Sequence, residues 1–157
     1  MRFLYKANPI SLAAVLICSN FTLSAIASDL ESLVRLLVPA FLAQNLTLVC
    51  ATERPEFLAE LSEKSSLVNS FADHVKAEVT MGMSENEAKE IRIVAANTAR
   101  DEVLRNLNAA KPEKADTRLE ELNNWCRSRA KPLILEIISV HQTKHAEFER
   151  KVVEAKR

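Results

Sequence analysis

The three histidines of the chain are the residues best suited to chemistry. His141 and His145 are four residues apart, so on a helix their imidazoles share one face and can bind the same metal ion. His74 and Glu78 have the same spacing, and a helix carrying them supplies further ligands if it packs nearby. These four side chains are the predicted candidates for a metal site.

Two simpler roles for the histidine pair stay open at this point. Neutral imidazoles near the end of a helical bundle need no ligand. A pair facing a core could instead sense pH. Imidazole becomes charged at about pH 6, and two charged histidines would pack poorly against an apolar core. No carboxylate that would orient the histidines can be assigned from the sequence. The prediction is therefore no cofactor, with a bound metal ion as the alternative.

No catalytic arrangement accompanies the histidines. The sequence has no HExxH motif and no nucleophile beside a base at a recognisable spacing. Its one glycine, Gly82, excludes glycine-rich phosphate loops, dinucleotide fingerprints and nucleophile elbows, which need several. No catalytic residue is predicted, and the protein is predicted not to be an enzyme.

The N-terminus has the three parts of a secretory signal peptide. The basic residues Arg2 and Lys6 precede an apolar stretch, which ends at the small-x-small sequence Ala25-Ile26-Ala27. Residues 1–27 are therefore predicted to be a cleaved signal peptide, and residues 28–157 a single domain. The mature protein is predicted to be periplasmic or secreted.

A retained membrane anchor is the alternative to cleavage. Asn20, Thr22 and Ser24 interrupt the apolar run, which leaves fewer than the roughly 18 apolar residues that a membrane span needs. No membrane association is therefore predicted after cleavage.

Loss of Arg2 and Lys6 would leave 19 basic residues against 21 acidic ones. That balance gives no electrostatic reason to expect nucleic-acid binding.

The cysteines indicate one disulfide bond. Cleavage would remove Cys18 and leave Cys50 and Cys126. An even pair in an exported protein is typical of a disulfide, and the alternatives are buried thiols or a two-cysteine metal site. The absence of a CxxC spacing argues against the metal site. A structural bridge between Cys50 and Cys126 is predicted.

Helical patterns run through most of the remaining sequence. Ser84 and Glu87 form a capping box that begins a helix, and Gly82 is placed to end the preceding one. Pro132 is expected to kink or split the last helix. Together these patterns predict an all-α fold, a small bundle of four to five helices held by one disulfide.

Residues 30–42 are apolar nearly all round, which is typical of a helix buried on several sides or lying in an interface. If the segment is an interface, Leu36 and Val38 are the predicted partner-binding residues. The partner would be an unidentified protein, a second copy of the chain or an apolar ligand. If it is not, this helix is the buried centre of the bundle.

Several short motifs, taken in their order along the chain, resemble those of a known group of proteins. The motifs cover nearly the whole predicted mature chain. They are Cys50 followed by Pro55-Glu56-Phe57, His74-Val75-Lys76-Ala77-Glu78-Val79, Ala95-Ala96 with Ala99-Arg100, Trp125-Cys126, and His141 with His145. In this order the chain resembles small exported proteins of rhizobia, of the nodulate formation efficiency C type. The resemblance implies a role in forming root nodules or competing for them, and it assigns no catalytic or binding residue.

Two functional hypotheses follow from the sequence. The first is a non-enzymatic exported protein that acts by binding and contributes to host interaction or nodulation efficiency. The second is a periplasmic metal-binding protein that uses the His141 and His145 pair.

Overall fold

A computed structural model describes residues 10–53, 56–61, 65–109 and 118–157, and for residues 10–28 it describes the backbone only. Apart from a turn at residues 81–84, Lys144 and the last two residues, the chain is helical within these ranges, and they contain no strand. The elements are α1 (Ile10–Glu53), α2 (Glu56–Leu61), α3 (Ser65–Thr80), α4 (Glu85–Ala109), α5 (Arg118–Trp125), a π-helical turn (Cys126–Ala130), α6 (Lys131–Thr143) and α7 (His145–Ala155). The predicted all-α bundle is confirmed. The elements from α5 to α7 follow one another without a long loop and correspond to the predicted last helix.

Helix α1 is the centre of the bundle, since every other described element contacts it. One side of α1 carries residues spaced three or four apart, which is the spacing that keeps side chains on one face of a helix. These residues are at most 5% exposed, and they are Leu33, Leu37, Ala40, Ala43, Leu46 and Cys50. The helix continues through Pro39. Within residues 30–42 only Leu33, Val34, Leu37 and Ala40 are buried, so one side of the segment lies in the core and the rest is half-buried or exposed.

The same helix is long and apolar enough, over Asp29–Thr52, to cross a membrane by length and composition. Core helices of soluble proteins and signal sequences meet this criterion too. Residues 1–9 of the predicted signal peptide lie outside the described residues. The rest of the predicted signal peptide, residues 10–27, forms the first part of α1. An apolar N-terminal helix of this kind is compatible with a signal peptide.

The predicted capping box begins α4. The Ser84 backbone N–H donates to Glu87 Oε2 at 3.0 Å, and the Glu87 N–H donates back to Ser84 Oγ at 3.4 Å. The bond from the Ser84 hydroxyl, followed by that from its backbone, holds the pKa of the Glu87 carboxyl below its usual range. The buried face of α4 is built mainly from Ala88, Ile91, Ala95 and Ala99. These mostly small side chains let α4 pack closely on α1.

The predicted disulfide joins Cys50, near the end of α1, to Cys126, the first residue of the π-helical turn. Both cysteines are fully buried, and their Cα atoms are 5.8 Å apart. Pro132 lies in the first turn of α6, directly after the π-helical turn. The interruption expected at Pro132 therefore takes the form of a π-helical turn and a new helix start.

Loss of the disulfide should destabilise the fold. The bridge closes a loop of 76 residues, which in the chain-entropy model is worth about 4 kcal/mol. A Cys50→Ala, Cys126→Ala double variant should lose a free energy of unfolding of this order in urea denaturation. Reductant should destabilise the wild-type protein similarly and leave the double variant unaffected. A wild-type urea midpoint that does not respond to reductant would contradict a stabilising bridge.

Gly82 should resist substitution for a purely conformational reason. Its φ of +80° is in the left-handed region, and a Cβ added there meets no atom within 4 Å. Gly82→Ala should therefore cost about 1 kcal/mol of unfolding free energy through backbone strain alone. Gly82→Asn should cost less, because asparagine adopts this conformation more readily. Equal urea midpoints for glycine and alanine at this position would disprove the strain argument.

Candidate metal centre

Helix α3 supplies two of the predicted ligands. Val68, Ala72, Val75 and Val79 form its buried face. His74 and Glu78 are one helical turn apart at the edge of this face, where α3 contacts α6 and α7. The His74 side chain is 58% exposed, whereas that of Glu78 is only 16% exposed. The carboxylate is therefore held inside the cluster, while His74 closes the cluster from the solvent side.

The other two ligands lie on either side of a break in the last helix. His141 is in the final turn of α6, and His145 is the first residue of α7. Between them Lys144 has non-helical angles (φ −116°, ψ 26°). The sequence pattern predicted an interruption at Pro132 but none at this residue. The Lys144 N–H still donates to the Val140 carbonyl, so the chain keeps its direction across the break.

The two imidazoles nevertheless stay on the same face. Their ring centroids are 5.2 Å apart in an edge-to-face arrangement. His74 stacks on His145 at 5.6 Å and approaches His141 at 6.0 Å. All three histidines of the chain therefore meet at one place, although 71 positions separate His74 from His145 in the sequence.

Three of the four candidate ligand atoms form a compact triangle. His74 Nε2 lies 3.3 Å from His145 Nε2. Glu78 Oε2 lies 3.4 Å from the first nitrogen and 3.6 Å from the second. Glu78 Oε2 is buried and has no hydrogen-bond partner among the described residues. The two imidazole nitrogens are within hydrogen-bond distance of each other, one donating and the other accepting according to tautomer, whereas Glu78 Oε2 accepts a hydrogen bond from neither.

His141 completes the cluster from a more apolar environment. Its ring packs between Phe71 (5.1 Å between centroids) and Phe148 (4.8 Å). Its Nε2 is buried and, in the described part of the chain, has no hydrogen-bond partner. Burial, followed by the nearby His145, lowers the pKa of His141, and the opposing effect of Glu78 is smaller. His141 is therefore neutral at pH 7, which is the form that binds a metal ion.

The geometry matches the coordination of a small divalent transition-metal ion. One ligand atom from each of His74, Glu78, His141 and His145 lies within 4.8 Å of all the others. A tetrahedral zinc ion with bonds of about 2.0–2.1 Å needs ligand atoms about 3.3 Å apart. The three edges of the triangle already match that spacing within a few tenths of an ångström. His141 would have to move closer to the other three to complete the tetrahedron, because the distances within the set of four extend to 4.8 Å.

A fifth residue, which the sequence interpretation missed, is placed to orient His145. Glu149 Oε1 lies 3.7 Å from His145 Nδ1, the ring nitrogen that faces away from the triangle. Carboxylates often occupy this position next to a metal-bound imidazole, because they fix its tautomer and raise its basicity. The signal was present in the sequence, since His145 and Glu149 are four residues apart on a helix.

The predicted partner-binding residues lie on α1, apart from the cluster. Leu36 and Val38 are both half-buried and pack against the core. Leu36 lines an open cleft of about 430 Å³ between α1, α3, α6 and α7. Val38 is not among the cleft residues. His141 belongs to both sites, because it is one of the four candidate ligands and also lines the cleft.

Comparison of the chain with protein-family models, with curated proteins and with solved structures gives no match. The functional argument therefore rests on the geometry of the site itself.

Proposed function

We propose that this protein is an exported metal-binding protein that holds one divalent transition-metal ion, Zn²⁺ in particular, with His74, Glu78, His141 and His145. The observation that carries the proposal is the meeting of all three histidines with a buried carboxylate oxygen that has no hydrogen-bond partner among the described residues. A buried polar atom without a partner costs about 1–3 kcal/mol. A shared cation would remove this cost for Glu78 Oε2 and His141 Nε2 together.

The chemistry of the ligands favours zinc over other common metals. Imidazole nitrogens with one carboxylate oxygen suit Zn²⁺ and Cu²⁺, whereas Mg²⁺ and Ca²⁺ prefer a shell of oxygen ligands. The disulfide in the same domain is typical of an oxidising compartment. Histidine and carboxylate ligands are unaffected by such conditions, whereas thiolate ligands can be oxidised.

The number of ligands favours binding over catalysis. Catalytic zinc sites usually have three protein ligands and keep one position for water, whereas four protein ligands fill a tetrahedral site. His74 is largely exposed, and the three histidines line an open cavity of about 340 Å³. An ion could therefore enter and leave without unfolding of the bundle. We infer that the protein binds its metal reversibly, for storage, buffering or transfer.

The compartment and the biological setting are part of the proposal. An N-terminal apolar helix and a disulfide support export to the periplasm or the medium. The resemblance to exported rhizobial proteins supports a role in host interaction or nodulation efficiency. In this proposal metal binding is the biochemical activity behind such a role, which unites the two hypotheses drawn from the sequence.

Removal of a ligand should abolish tight zinc binding. The wild-type protein should bind one Zn²⁺ per chain in isothermal titration calorimetry after treatment with a chelator. Removal of a residue that only hydrogen-bonds to a metal ligand typically weakens metal binding by about 10- to 100-fold. Zinc binding should be weakened by more than this in each of the single variants His74→Ala, Glu78→Gln, His141→Ala and His145→Ala. Co²⁺ bound to the wild-type protein should give the visible absorption of a tetrahedral site.

Glu154→Gln is the matched control for Glu78→Gln. Glu154 is an exposed carboxylate on α7 that pairs with Arg150, away from the cluster. This variant should bind zinc like the wild-type protein, and neither Mg²⁺ nor Ca²⁺ should compete. The proposal is wrong if folded wild-type protein binds no zinc, or if Glu78→Gln and Glu154→Gln bind it equally well.

Zinc affinity should fall as the pH is lowered from about 7 to about 5, because protonated imidazole cannot bind the metal. The lowered pKa of His141 keeps this ligand neutral until the pH falls below the ordinary histidine value of about 6.5. Zinc dissociation constants measured across the range test this. An affinity that does not change with pH would point to carboxylate ligands alone.

A further inference from the structure

The cleft beside the metal centre has the size and the walls of a ligand site. Its volume of about 430 Å³ falls within the roughly 300–1,000 Å³ that small-molecule sites occupy. Four helices contribute apolar side chains to its walls, among them Leu36, Val75, Leu133, Ile137, Val140 and Phe148. The cleft is open to solvent, so a ligand can enter without a change in the fold.

Several of these side chains are left unusually exposed for a small core. Val140 is 47% exposed, while Leu36, Leu133, Ile137 and Phe148 are only half-buried. Burial of apolar surface stabilises a complex. A flexible apolar chain lying along the cleft would cover surface that the fold itself leaves in contact with water.

The charges at the edge of the cleft favour an anion. Arg35, Lys144 and Lys151 line it, against the two carboxylates of Glu136 and Glu147. Glu147 pairs with Lys151 at 2.8 Å. Arg35 pairs with Glu31 at 2.6 Å. Neither Lys144 nor Glu136 forms an ion pair with a described residue, and after Lys151 the charge of Lys144 also contributes to the lowered pKa of Glu147. Three cations against two carboxylates still leave the cleft one positive charge in excess, and the Lys144 ammonium group can pair with a bound carboxylate.

We infer that this cleft binds a single-chain amphipathic anion of the fatty-acid type. The apolar chain lies against Leu36, Ile137 and Phe148, and the carboxylate lies at the edge beside Lys144. The inference does not depend on metal binding, because the apolar walls and Lys144 are not metal ligands. The two sites nevertheless share His141, whose ring lines the cleft.

Calorimetric titration with dodecanoate, below its micelle concentration and with a chelator present, tests the inference on the full chain. One dodecanoate should bind per protein molecule. Val140→Asp places a carboxylate in the cleft and should weaken binding by about tenfold or more. Lys144→Gln should weaken it by about three- to fivefold, the order expected for an exposed ion pair.

Dodecyltrimethylammonium and dodecyl maltoside, with cationic and uncharged head groups, should bind more weakly than dodecanoate.

Val153→Asp and Lys89→Gln are the matched controls. Val153 is 51% exposed on α7, and neither Val153 nor Lys89 lines the cleft. Both variants should bind dodecanoate like the wild-type protein, and circular dichroism should show that all four variants are folded. The inference fails if dodecanoate does not bind, if Val153→Asp weakens binding as much as Val140→Asp, or if the three head groups bind equally. Zinc titration of the same samples reports separately on the metal site.

Discussion

The burial of one side of α1 is the constraint on which the rest of the structure depends. This helix contacts every other described element, and its most buried residues, from Leu33 to Cys50, extend over most of the segment Asp29–Thr52. Helices α3 and α6–α7 come together because both must cover the same apolar surface. The disulfide fixes one end of this arrangement through Cys50. The histidine cluster forms where the covering helices also contact each other.

The candidate metal centre and the apolar cleft are two results of this packing. Where α3 contacts α6 and α7, polar side chains fill the contact, and two of their buried atoms have no hydrogen-bond partner among the described residues. Where the same helices diverge from α1, apolar side chains remain half-covered and leave a cleft. His141 lies between these two regions, where its ring packs against Phe71 and Phe148 and its buried Nε2 has no hydrogen-bond partner in the described part of the chain.

Local features were predictable from the sequence, and long-range ones were not. The Ser84–Glu87 capping box and the role of Gly82 depend on residues within one turn, so their patterns predicted the structure correctly. The disulfide followed from counting cysteines. The sequence proposed His74 and Glu78 as ligands only if their helix packed nearby, because helix adjacency depends on the whole core. The break at Lys144 and the cleft were missed, since neither has a distinctive local pattern.

The π-helical turn has a consequence for which insertions and deletions the chain can tolerate. A π-helical turn contains one more residue per hydrogen-bonded ring than an α-helical turn. The wider turn therefore covers with one extra residue the full rotation that about 3.6 residues cover in an α-helix. An extra residue in a regular α-helix would instead rotate everything after it by about 100°. The turn thus absorbs one residue of chain length while Cys126 keeps facing Cys50 and the histidines keep facing α3. Removal of one residue between Cys126 and Ala130 should convert the turn to an ordinary α-helix and leave both the disulfide and the histidine cluster in place.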